Sequence, residues 1–135
     1  MTMIHADSGE RSRALRDVRR VVIKVGTRLL TGVDGASKEA RVALLVSRIA
    51  ALRERGLEVI LVSSGAIGAG MVVLGTKRRP TTIPKLQAHA AVGQSRLMYC
   101  YETACRNHNF HCAQILLTAD DVQHRERHLN VASCL

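Results

Sequence analysis

Two short runs of branched aliphatic residues, Val21-Val22-Ile23-Lys24-Val25 and Val59-Ile60-Leu61-Val62, bracket a segment of helical period, and this constrains the fold more than any other feature. Apolar runs of that length, bounded by turn residues, read as buried strands of a parallel sheet. Between them Val42, Leu45, Val46, Ile49 and Leu52 recur at helical spacing. Ser37 is a predicted N-cap, Glu39 falls where the helix dipole favours an anion, and Gly56 is a natural stop. Strand, helix, strand in this order makes a parallel pair joined by a crossover, which is right-handed in nearly all proteins.

The alternation continues along the chain. After the second run, Ser63-Ser64-Gly65-Ala66 forms a small-residue turn that opens onto the apolar stretch Ile67 to Leu74. Lys77-Arg78-Arg79-Pro80 reads as an exposed loop, and Pro84 can start the next helix. Leu86, Ala90, Gly93, Leu97, Tyr101 and Ala104 mark the buried stripe of that helix, which ends near Asn107–Asn109. A third strand is predicted over His111–Leu117. Thr118 then caps a charged, helix-like segment, with Asp121 as its capping-box partner. The order β-α-β-α-α-β-α predicts an α/β fold with a mainly parallel sheet.

Composition narrows the function classes. Aromatic residues are 2% of the 135 against 47% hydrophobic, so the core rests on Val, Ile, Leu and Ala. The net charge of +9 invites a nucleic-acid reading. The basic residues are dispersed, however, and side chains that could stack on bases are nearly absent, so no nucleic-acid partner is expected. Arg48, Arg53 and Arg55 fit a solvated helix face. Cys100, Cys105, Cys112 and Cys134 show no paired spacing and follow no secretory signal, which predicts a reduced, cytoplasmic setting. His108, His111 and Cys112 lie too close together, with no second pair, to make a structural zinc site, and no metal ligands are expected. No apolar run approaches the roughly 20 residues that span a bilayer, so no membrane partner is expected. Residues 1–19 are polar and read as a flexible tail, leaving 20–135 as one domain.

Ligands of open parallel sheets gather at the carboxyl ends of the strands. Three segments fall there: Gly26-Thr27, Ser63 to Ala66, and Thr118 to Asp121. Small residues let backbone N–H groups approach an anion closely. Lys24 adds a charge that is costly to bury unpaired in so apolar a strand. At the strand's carboxyl end its ammonium can meet a phosphate instead. No phosphate-loop motif ending in Gly-Lys-Ser/Thr is present, and Gly65-x-x-Gly68-x-Gly70 reverses the dinucleotide-binding order. Ser64 has no nucleophile elbow around it, and is better suited to donating a hydrogen bond to a ligand carboxylate.

Five collinear segments resemble the amino acid kinase family: Val21 to Thr27, Val62 to Ile67, Ala90 to Ser95, Gln114 to Thr118, and Arg125 to Asn130. Ser64-Gly65-Ala66-Ile67 together with Val92-Gly93-Gln94 is most similar to its glutamate-phosphorylating branch. The resemblance implies a three-layer αβα sandwich and ATP-dependent phosphorylation of the L-glutamate side-chain carboxylate, the first step of proline synthesis. It assigns Lys24 to catalysis and, with Gly26 and Thr27, to ATP phosphate binding; Ser64, Gly65 and Ala66 would hold glutamate. Mg²⁺ would ride on ATP, and a homo-oligomer is implied for the full-length enzyme. Related enzymes with other acceptors, such as acetylglutamate, and a non-catalytic fragment are the alternatives. Arg28 departs from the small polar residue common in the family. Val131 to Leu135 leave its pattern, with the nucleotide-binding loops expected beyond, so a truncated chain, inactive alone, is expected.

Overall fold

The branched side chains of Val21 to Val25 and Val59 to Val62 favour extended backbone, and both runs become strands. In the computed structural model, which describes residues 16–26 and 37–135, β1 spans Arg20–Val25 and β2 spans Glu58–Ser63. They pair in parallel, with Arg20 opposite Glu58, Lys24 opposite Val62 and Val25 opposite Ser63. The first of these pairs also carries an ion pair of 2.7 Å. Side chains alternate across the sheet. Val25 is buried, whereas Val22, Lys24 and Val62 are exposed.

Helix α1, Lys38–Glu54, follows from its predicted signals. The Ser37 hydroxyl accepts the Ala40 N–H at 3.1 Å. At the other end Gly56 takes φ +81°, a conformation glycine adopts without penalty. Its N–H reaches the Arg53 carbonyl and that of Leu57 reaches Leu52, which closes the helix in a Schellman motif. Val42 and Val46 are each 1% exposed. Burial of a valine stabilises by about 1.5 kcal/mol or more.

Two further helices complete the core. α2 is Ala66–Val73 and α3 is Ile83–Arg106, with Pro84 in its first turn. Leu97, Cys100, Tyr101, Ala104 and Cys105 of α3 form one cluster with Val42 and Val46, and Leu61 of β2 packs against it. α2 lies against α3 through glycines. A Cβ at Gly93 would sit 1.8 Å from the Ala66 carbonyl oxygen, and one at Gly70 would sit 1.9 Å from that of His89. The two backbones therefore meet with no side chain between them. His89 is buried there. Its Nδ1 donates to the Lys85 carbonyl at 2.7 Å, leaving Nε2 to the Thr76 hydroxyl at 2.9 Å.

The third strand is the main departure from the sequence-based prediction. His111–Leu117 takes no regular secondary structure and pairs with no strand, and the sheet has two strands among the described residues. A strand exists only through a neighbour's hydrogen bonds, however favourable its residues. Here α3 supplies the anchor instead: Glu102 accepts the Cys112 N–H at 3.1 Å, and Gln94 donates to Gln114 at 3.0 Å. Leu116 remains 68% exposed. The chain then forms α4, Ala119–Gln123, and α5, Arg125–Cys134. The predicted capping box is present: Thr118 accepts the Asp121 N–H, and the Asp121 carboxylate accepts the Thr118 N–H at 2.8 Å.

Candidate functional site

Parallel strands in register end at the same level, and here that brings two predicted loops together. β1 ends at Val25 and β2 at Ser63, so Lys24 and Gly26 share one rim of the sheet with Ser64, Gly65 and Ala66. The bridge between them is the Val25 carbonyl. It lies 3.3 Å from the Ser64 backbone nitrogen and 3.3 Å from the Ser64 hydroxyl oxygen, and both groups donate to it. Thr27, the third residue of the expected phosphate loop, lies outside the described residues, as does Arg28.

Lys24 is exposed on the sheet face away from Val25. Gly26 is open among the described residues: none of their atoms comes within 4 Å of the position a Cβ would take, so an oxyanion can reach its backbone. On the other strand, Gly65 takes φ +127° as the N-cap of α2, which only glycine adopts without strain. The turn thus places the first amides of α2, and their favourable dipole, beside the two strand ends.

A cavity of about 260 Å³ opens at this turn, lined by Ser64 to Gly68, Ala90 and Arg79. Among the described residues Arg79 is the only charged side chain of that lining. Sequence reading leaves it in an exposed basic loop, because nothing local shows that the α2–α3 connection folds back over the serine turn. Gly70 was likewise invisible in its role. In sequence it belongs to a reversed dinucleotide pattern; in the structure it lets α3 approach α2.

Below the rim, Ser63 meets Tyr101 of α3, oxygen to oxygen at 2.8 Å. Tyr101 is 5% exposed, and burial raises the pKa of its phenol, against a smaller opposing effect of the Ser63 bond. The helical stripe marks this tyrosine as core, but the stripe carries no signal for where its hydroxyl points. Thr118 and Asp121, at the third predicted strand end, bond to one another.

A second polar cluster lies away from the rim. Glu102 takes hydrogen bonds from His111 at 2.8 Å, from the Cys112 N–H, and from Arg106 at 2.9 Å. These hold its carboxyl down at about 2, the His111 bond contributing most. The Cys112 thiol is pushed up to about 12, first by burial and then by the negative charge that Cys105 and Glu102 would present to a thiolate. These groups serve to fasten residues 111–112 to α3.

Residues 19–134 match the amino acid kinase family. The chain is 51% identical over 123 residues to a glutamate 5-kinase of Chromohalobacter salexigens, covering 90% of this chain and 32% of that protein. It is 47% identical over 125 residues to one of Geobacter metallireducens, covering 93% and 34%, and 50% identical over 121 residues to one of Aromatoleum aromaticum, covering 90% and 33%. The chain therefore spans about a third of the length of the curated relatives it matches.

Proposed function

The chain belongs to the amino acid kinase family, and from that premise we propose that it forms the acceptor-side part of a kinase that transfers the γ-phosphoryl group of ATP to the side-chain carboxylate of L-glutamate. The observation that carries this reading is the shared rim, where one carbonyl joins the Lys24–Gly26 strand end to the Ser64–Gly65 turn. Phosphoryl transfer between two anions is mainly a matter of positioning and charge neutralisation. A cation on one loop and amide donors on the next, held in register, provide both.

In this reading the glutamate carboxylate oxygen attacks the γ-phosphorus, the bond to ADP breaks, and an acyl phosphate forms. Lys24 neutralises the transferring group with the Gly26 amide beside it, and Thr27 shares the phosphate-binding role that the family resemblance assigns. Ser64, Gly65 and Ala66 hold the amino acid, and Arg79 supplies positive charge to its second carboxylate. Among the described residues, those at the rim bear no carboxylate that would ligate a metal directly; a Mg²⁺ carried on the nucleotide phosphates would offset their charge. The part of the relatives outside the match would supply the remaining nucleotide contacts and complete a three-layer sandwich, in a cytoplasmic and homo-oligomeric enzyme. No described helix is long and apolar enough to cross a membrane.

The reading is tested by letting residues 19–134 replace the matching third of the Chromohalobacter enzyme. The chimera should form hydroxamate from ATP, glutamate and hydroxylamine. Lys24→Ala should then lower kcat by roughly a hundredfold or more, the scale seen when one transition-state donor is removed. A folded chimera indifferent to Lys24→Ala would refute the mechanism; one that prefers acetylglutamate would refute the substrate.

A further inference from the structure

We infer that Tyr101 is a positioning residue for the glutamate-holding turn, acting through Ser63; this deepens the reading above and rests on it. The Ser63 hydroxyl lies 2.8 Å from the Tyr101 oxygen and 3.4 Å from the Ser64 carbonyl oxygen. A carbonyl only accepts, so when the Ser63 hydrogen is given to it, Tyr101 donates to Ser63. Burial keeps the phenol protonated and able to do so. Ser64 is then held through both of its backbone polar groups. Its carbonyl is met by Ser63, and its N–H by the Val25 carbonyl at 3.3 Å.

The neighbours of Tyr101 give this chain its stiffness. Tyr101 packs in one cluster of buried residues with Val42, Val46, Leu97 and Ala104. The phenol ring is fixed there, and its hydroxyl extends that rigidity to a turn whose bonds to the Val25 carbonyl are both 3.3 Å long. A turn of small residues has few side chains with which to fix itself. A hydroxyl from the core compensates for that.

The test uses the full 135-residue chain and two readouts. In amide hydrogen exchange, Tyr101→Phe, which removes only the hydroxyl, should speed exchange of the Ser64 N–H about tenfold while α1 and α3 keep their protection. Ser63→Ala should do the same, and the double variant should add nothing further. In titration with L-glutamate, Tyr101→Phe should weaken binding several-fold with core protection unchanged, a pattern that general destabilisation does not give. Unaltered Ser64 exchange in Tyr101→Phe, or additive effects in the double variant, would overturn the inference. If the unsubstituted chain binds no glutamate, the substrate reading falls, while the exchange measurement still decides whether Tyr101 sets the turn.

Discussion

Replacing Gly93 by alanine sets two effects of opposite sign against each other. Within a helix, alanine is favoured over glycine by about 1 kcal/mol, so propensity alone predicts a more stable protein. The structure predicts the reverse. The new methyl would sit 1.8 Å from the Ala66 carbonyl oxygen and 2.3 Å from the Gly70 nitrogen, both backbone atoms that no rotamer change can move. Restoring ordinary contact requires α2 to retreat from α3 by about 1.5 Å or more. Overpacking of this kind costs about 3 kcal/mol where the neighbour cannot yield. The net loss is about 2 kcal/mol, which lowers Tm by roughly 5–10 °C in a domain of this size. Thermal melts followed by circular dichroism measure it. Ser95→Ala, on the exposed side of the same helix, should change stability by no more than about 0.5 kcal/mol. A Gly93→Ala protein that melted higher than the parent would refute the close approach of the two helices.

Two further outcomes follow from the Glu102 cluster. Its carboxyl is held at about 2, below the ordinary 4.5, so its contribution to stability is complete above about pH 4.5 and is lost as pH falls through 2. Melts from pH 7 to 2 should show that loss, Glu102→Gln should flatten it, and identical slopes in the two proteins would contradict the assignment. With the Cys112 thiol pushed up to about 12, iodoacetamide at pH 8 should label exposed Cys134 well before Cys112, as peptide mass spectrometry would show; equal rates would mean that Cys112 is not shielded.

Local chemistry was legible where the residue that needs a partner and the partner itself are close in sequence. Ser37 caps α1, Gly56 ends it, and Thr118 and Asp121 form their box because each signal acts within a few residues. The paired strands were legible from continuous branched runs, and their shared register follows once they lie side by side. Tyr101 and Arg79 were not legible in this way. What each of them does is set by a residue far off in the chain, Ser63 for one and the Ser64 turn for the other. His111–Leu117 shows the opposite failure. Its residues suit a strand, but Glu102 and Gln94 take its polar groups, and no strand lies beside it among the described residues.

The Val25 carbonyl has one more consequence. An oxygen arriving at Ser64 does not meet an idle hydroxyl; it must draw that hydrogen away from an amide oxygen 3.3 Å off. A neutral carboxamide is an acceptor of the same kind as the one it displaces, so the exchange gains it little. A carboxylate binds the hydrogen more strongly and gains on every exchange. In the role proposed for this turn, glutamate would be favoured over glutamine by a competition between acceptors rather than by shape.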